Sequence, residues 1–262
     1  AYEIYQCDWS SDVCSSDLSW REIVMVNLAP GVVVAVLILA FLGTWNLVAP
    51  EEAGQPRKAH TFDSYMKGLK TLLSSRSMAA LLTSSAFRTL SQATLLTFLP
   101  VYLSREMGYS PFWVGTCLFL MQAAGFAASP VAGHLSDTMG RRKIILSSLS
   151  LTAVIIFLMA FAGHSWVFVF LIAAVGFFLY ATRPVLQAWM LDATPKNMGG
   201  TAIGIMFGCQ ALGSAIGPAI GGMIADQWGL LSTFYFIGAT IVIANFFIFL
   251  MPELPGEKAT QA

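Results

Sequence analysis

The sequence is poor in charge. Only 11% of its 262 residues are Asp, Glu, Lys or Arg, against about 25% in an ordinary soluble domain. That scarcity argues against a soluble enzyme, a nucleic-acid binder and a disordered chain. Histidine is scarce too: His60, His134 and His164 are far apart, so no pair has metal-ligand spacing. No Gly-Lys-Ser/Thr phosphate loop occurs, which leaves ATP-driven chemistry without support. No cofactor is called for. Of the four cysteines, Cys117 and Cys209 stand alone within apolar runs, as buried packing residues do. What the chain has in quantity is apolar, at 56% hydrophobic. The class this leaves is a polytopic membrane protein.

Charge-free stretches mark the spans. Ile23–Pro50 is one, Met107–Ser136 another, and Ile144–Thr182 a third, divided by Gly163-His164-Ser165. A spanning helix needs ~20 mostly apolar residues. The pattern predicts an all-α membrane protein with seven transmembrane helices, near 23–48, 78–103, 112–135, 144–162, 166–190, 199–224 and 230–251. Spanning strands would be only about 10 residues long with strict alternation, and these runs are too long and too uniform. Basic residues set the orientation. With the 51–76 loop inside, the inner side holds Arg57, Lys58, Lys67, Lys70, Arg76, Arg141, Arg142, Lys143, Lys196 and Lys258, and the outer side only Arg21 and Arg105. Phe62, Tyr65, Met66, Leu69, Leu72 and Leu73 have helical spacing beside Lys67 and Lys70. A helix lying on the inner membrane surface is expected there. The C-terminal tail, 253–262, falls inside.

Residues 1–18 do not read like the rest. They carry four acids, no Lys or Arg, and Cys7 and Cys14. A secretory signal has a basic start and a continuous apolar run, and neither is present. Asp8 to Leu18, DWSSDVCSSDL, resembles the translation of a common sequencing-library adapter. That resemblance predicts a non-native segment over 1–18, with the biological chain resuming near Ser19 and its earlier helices lost. From residue 19 on, all 14 basic residues face ten acids, a net of +4.

Two features then point to one family. The first span ends Ala49-Pro50-Glu51-Glu52 and the last Met251-Pro252-Glu253; Trp20 precedes the first and Trp228 the last. Such an echo is what repeated six-helix halves produce, as secondary transporters have. Gly133-His134-Leu135-Ser136-Asp137-Thr138-Met139-Gly140-Arg141-Arg142-Lys143 resembles the G-x-L-x-D-x-x-G-R-R/K loop signature of the major facilitator superfamily, with every fixed position matched. The resemblance covers about Ser19 to Pro252. It implies two six-helix bundles rocking about a central site. Residues 19–50 would be the last helix of the first bundle, 51–77 the inter-bundle loop, and 78–252 the second bundle. The family pattern also implies that Asp137 sits against the N-terminus of a neighbouring helix, here starting near Met198–Thr201, where a carboxylate gains ~0.3–1 kcal/mol. Gly133 and Gly140 would permit a tight turn and close helix approach. Arg141 or Arg142 would pair with Asp192, making the loop a conformational latch; simple anchoring of positive charge inside is the plainer reading.

Gly204, Gly208, Gly213, Gly217, Pro218, Gly221 and Gly222 recur along the sixth span. Small residues four apart let helices approach closely in lipid. Gly217-Pro218-Ala219-Ile220-Gly221-Gly222 resembles the G-P-x-x-G-G element of antiporter members, but in the equivalent helix of the other half, so a packing face is the better reading. A rival assignment makes 78–251 a first half; the preceding span, the cationic loop and the short tail argue against it. Thr97-Phe98-Leu99-Pro100-Val101-Tyr102 also resembles, loosely, antibiotic-exporting members.

Few polar groups enter the membrane. Arg88 falls roughly 16 Å into its span, where an arginine costs at least ~2.5–3.5 kcal/mol and must face protein or water. Ser84, Ser85 and Gln92 share its helical face, and Gln122 and Gln210 are also mid-depth. Arg88, Gln92, Gln122 and Gln210 are therefore candidates to line a half-cavity, or, for the glutamines, to hold the bundle together. Arg183, before Pro184, is explained by snorkelling or by pairing with Asp192, and alternatively by a ligand role. After residue 18 every acid lies in a loop or at a span end, so no mid-membrane carboxylate carries a coupling proton. A central arginine without one favours an anionic or zwitterionic solute.

The expected function is secondary transport of a small organic solute by alternating access, with ion-gradient-coupled efflux first and uptake on the same fold second. The partners are a lipid bilayer, the solute, a coupling ion (a proton), and the missing N-terminal half; no nucleic acid is expected. The expected place is a bacterial-type inner membrane with the C-terminus in the cytoplasm. A seven-helix receptor is the alternative from another class, and it needs neither the signature loop nor the surface helix.

Overall fold

In a computed structural model of the chain, residues 28, 30–40, 75–163, 166–194 and 198–251 are described. The expected segment 1–18, the surface helix in 51–76 and the tail lie outside them. The chain divides into units 1–59 and 60–262, and each is described by itself. In the first, the helix α1 (Pro30–Ala40) is apolar and exposed along its length.

The second unit is a bundle of six helices: α2 (Arg76–Arg105), α3 (Pro111–Met139), α4 (Arg141–Ala162), α5 (Trp166–Asp192), α6 (Gly199–Trp228) and α7 (Leu230–Phe249). No strand occurs among the described residues. Each break between helices falls where the sequence interrupts its apolar run. Gly108, Gly140, Gly163 and Gly229 all take positive φ, a region L side chains avoid. Pro111 opens α3 at a position where its missing N–H costs nothing. The signature segment is more helical than a loop reading implies: α3 runs past Pro130 and through Gly133 and Asp137 to Met139, and stops at Gly140, whose φ of 92° turns the chain out of the helix.

Five helices, α3 to α7, are long and apolar enough to cross a membrane. Helix α2 is long enough at 30 residues but falls outside that set because it is rich in Ser, Thr, Arg and Gln. These polar residues point inward, with Ser84, Ser85, Arg88, Ser91, Gln92 and Thr94 all buried. A helix polar on its protein side and surrounded by apolar neighbours is compatible with lipid, because the bundle satisfies its polar groups. The count of seven spans therefore rests on bundle position for α2, and for the first span on the part that α1 describes.

Packing follows two close pairs. Helix α3 lies along α5, and α2 lies against α6 and α7. The second pair fits because α6 presents glycine: a Cβ at Gly213 would come within 2.5 Å of the Ala86 carbonyl oxygen, and one at Gly217 within 2.7 Å of that of Leu90. At Gly221 it would meet Phe98 and Thr94 at 2.8 Å. Gly204 and Gly208 have open space instead, so only the C-terminal half of the glycine series lies on the contact. Pro218 stays within α6. Polar side-chain pairs add directional ties: Ser91 Oγ and Thr240 Oγ1 are 2.7 Å apart between α2 and α7, and Asn245 Nδ2 donates to Ser150 Oγ between α7 and α4 at 2.8 Å. At the far end of α2, the Tyr102 ring packs on Phe168 of α5 and Phe234 of α7.

Candidate functional site

The polar candidates separate into an interior knot and an open face. Arg88 is fully buried. Its Nε donates to Thr182 Oγ1 at 2.8 Å, and its Nη2 donates to Gln92 Oε1 at 2.8 Å. Both also reach the Leu179 carbonyl, at 3.4 and 3.2 Å. Thr182 is oriented for this, because its hydroxyl donates to the same Leu179 carbonyl at 2.8 Å and keeps its lone pairs for Arg88. The guanidinium thus pins α2 to α5, one residue ahead of Arg183 and two ahead of Pro184. One guanidinium nitrogen, Nη1, is buried without a hydrogen-bond partner, as is the Tyr180 hydroxyl. Gln210 is buried as well.

Gln122 and Arg183 are exposed. Both belong to the closely packed α3–α5 pair. A Cβ at Gly125 would run into the Tyr180 ring at 2.7 Å, and one at Gly176 would overlap the Met121 carbonyl oxygen, so these two glycines let the helices touch. Gln122 stands one turn before Gly125, and Arg183 one turn after Tyr180. The five candidates are therefore not one lining. Arg88, Gln92 and Gln210 lie within the bundle, and Gln122 and Arg183 lie on its surface. Arg183 also does not pair with Asp192.

Asp192 is held elsewhere. Arg141 Nη1 lies 2.6 Å from Asp192 Oδ2, but makes no hydrogen bond; the contact is close but poorly directed. With Asp192 more than half exposed, such a pair contributes about 0–1 kcal/mol. Arg142 Nη2 donates to the Phe249 carbonyl at 2.8 Å, at the C-terminus of α7, where a cation offsets the helix dipole. The two signature arginines thereby tie the start of α4 to the ends of α5 and α7. Asp137 is exposed and forms no ion pair or hydrogen bond among the described residues. Helix α6 begins at Gly199, after Met198, where the family pattern placed it, and no hydrogen bond joins it to Asp137 among the described residues. Gly133 lies inside α3 with nothing within 4 Å of a Cβ, so close approach is not its role in this arrangement.

The two signature glycines should respond differently to alanine. At Gly140, positive φ should cost about 1–2 kcal/mol and lower the melting temperature in detergent. Gly133→Ala should leave it unchanged or slightly raised, since alanine favours helix by ~1 kcal/mol. Equal effects would contradict the placement of Gly140 as the helix break.

Thr182, the Leu179 carbonyl, Gly125 and Gly176 were not singled out in the sequence. Thr182 stood out only as the end of a charge-free run, and isolated glycines in apolar helices carry no pattern. No group of three His, Cys, Asp or Glu side chains comes together among the described residues.

Comparison with known proteins bears on this geometry. The family model described as Major Facilitator Superfamily matches residues 81–262. The chain is similar to multidrug resistance protein MdtG of Klebsiella pneumoniae, 30% identical over 181 residues, covering 67% of this chain and 42% of that protein. It is similar to the MdtG proteins of Citrobacter koseri and Escherichia coli, each 31% identical over 175 residues, covering 65% of this chain and 41% of theirs. The matched segment thus spans less than half the length of these relatives. Among solved structures, the in meso crystal structure of the POT family transporter PepTSo superposes with a TM-score of 0.59 at 18% identity, over 69% of this chain and 39% of that one, a likeness of fold.

Proposed function

The chain belongs to the major facilitator superfamily, and we propose that it is the second bundle of a secondary transporter that moves a small organic solute by alternating access. One observation carries the reading. Arg183 is an exposed cation well inside a membrane-spanning helix. A cation at the centre of a span costs ~2.5–3.5 kcal/mol in lipid; nine residues from the end of α5, Arg183 would have to snorkel to escape that cost, and a face bordering water or another protein surface spares it. A first bundle closing over that face, with a hydrated cavity between, supplies both. The family membership removes the ground for the receptor alternative.

Efflux is the preferred direction, because the relatives are named multidrug resistance proteins; uptake on the same fold is the second reading. The coupling ion is a proton. Its carrier belongs to the first bundle, since every acid after residue 18 lies in a loop or at a helix end. The excess of basic residues in alternate loops favours a bacterial inner membrane with the C-terminus inside. Solute counterflow in proteoliposomes tests the core of the proposal. The two-bundle protein should exchange solute and residues 1–262 alone should not. Exchange by 1–262 alone would refute the need for a second half.

Asp137 is exposed and makes no hydrogen bond or ion pair among the described residues of its own bundle, which supports a role in the rocking step. Asp137→Asn should insert and melt like the parent yet transport about tenfold more slowly, a barrier change of ~1.4 kcal/mol. A parental rate at equal protein would remove the latch.

A further inference from the structure

Arg183 and Arg88 occupy the same stratum of the bundle. Arg183 is nine residues from the inner end of α5, roughly 13 Å by helical rise, and Arg88 is twelve from the start of α2, roughly 18 Å. The Arg88 guanidinium grips Leu179 and Thr182, the turn of α5 that ends in Arg183, and the two arginines and Tyr180 interact electrostatically. The described acids, Glu106, Asp137, Asp192 and Asp226, all stand in the last turn of a helix or immediately after it, and Asp192 is taken by Arg141. Two positive charges thus share one level of the membrane with no carboxylate of the described bundle beside them.

The two side chains are not equivalent. Arg88 is sealed, with its Nε and Nη2 donors used inside the bundle and Nη1 buried without a partner. It cannot touch a solute in this arrangement, but its charge is felt strongly across a poorly polarisable interior. Arg183 is open to the face and free to form a bidentate bond, the geometry in which guanidinium best recognises a carboxylate. Gln122 stands on the neighbouring helix six residues higher when the Gly125–Tyr180 contact is the common level, or roughly 9 Å, within the length of a small organic molecule.

We propose that Arg183 seats the anionic group of the transported solute, with Arg88 as a fixed positive charge behind it, so that the solute class is small organic anions and zwitterions bearing a carboxylate or comparable group. This rests on the transport reading, and the two can fail separately.

The test uses the full two-bundle protein in nanodiscs and the arginine reagent phenylglyoxal, with modification of Arg183 read by peptide mass spectrometry. Acetate, benzoate and phthalate are the anionic probes, and benzyltrimethylammonium is the cation of matched size. Arg183 should be modified readily and buried Arg88 hardly at all. At least one anion should slow modification of Arg183 about tenfold at ten times its dissociation constant, and the cation should not. Failure of all three anions, or equal protection by the cation, would overturn the proposal; both results are expected if a first-bundle carboxylate or a lipid headgroup already occupies Arg183. A transport arm separates the two readings. In everted vesicles, Arg183→Gln should lose anion transport at least tenfold while Arg183→Lys loses less. Protection without any counterflow would leave the anion seat standing and sink the transport reading. Counterflow unchanged by Arg183→Gln, with no protection, would do the reverse.

Discussion

Replacing Gly176 by valine should leave almost no folded protein. A Cβ at this position would overlap the Met121 carbonyl oxygen and approach its carbonyl carbon and side chain to 2.8 Å. A flexible side chain can turn away from such a clash, but a backbone carbonyl already committed to a helix cannot. The overlap is relieved only by moving α3 and α5 apart, and that pair forms one of the two close contacts of the bundle. Overpacking a yielding core costs about 1–3 kcal/mol, and an unyielding helix contact belongs at the top of that range or above it. In lipid this loss is not made good by water, because helix association there depends on close packing itself. Fluorescence-detected size exclusion in mild detergent should show an aggregated or absent peak for Gly176→Val and a weaker defect for Gly176→Ala. Gly208→Ala, with open space around its Cβ, should behave as the parent. A monodisperse Gly176→Val with parental melting would show that α3 and α5 are not in contact there.

That glycine illustrates which layer of the molecule is legible in sequence. Helix existence was readable because charge scarcity and apolar length are properties of single segments: the expected spans at 112–135 and 166–190 became Pro111–Met139 and Trp166–Asp192, differing only by a few residues at the ends, where helices run on past the apolar stretch. The site was less readable, since it depends on azimuth. Arg88 and Arg183 both looked like polar intrusions, and depth along the chain did not reveal that one turns into the bundle and the other out of it. Thr182 was invisible as a partner because its role arises only when α2 crosses α5 at Leu179. The glycine series on α6 showed a repeat but not which half of it makes contact, because that depends on where Ala86 and Leu90 arrive. The Arg141–Asp192 pairing was within reach because signature spacing and helix ends together left few acids for a basic loop to meet.

Arg88→Ala should destabilise the bundle more than Arg88→Met, and the comparison separates the two roles of this side chain. Alanine leaves a void where a fully buried long side chain stood, a class of change that costs about 2–5 kcal/mol. It also strips Gln92 Oε1 of its donor, at ~1–3 kcal/mol for an acceptor left buried and unpaired. Methionine fills most of the void, so its loss should be confined to the polar term and be smaller by about 2–4 kcal/mol. Removing the charge is itself favourable, because replacing buried ionic groups by apolar residues of similar volume is often neutral or stabilising. Thr182 is unharmed in both variants, since its hydroxyl still donates to Leu179. Adding Gln92→Leu to Arg88→Met removes the stranded acceptor as well, and the double variant should melt within a degree or two of the parent, roughly 0.5 kcal/mol. Equal melting of the alanine and methionine variants would mean that the Arg88 stem is not packed between α2 and α5. The double variant then bears on function. It keeps the bundle while deleting the fixed positive charge behind Arg183, so protection of Arg183 by organic anions should weaken several-fold although the protein is as stable as before. A stability loss alone has no means of producing that result, and an arginine that served only to pin α2 to α5 would leave the protection untouched.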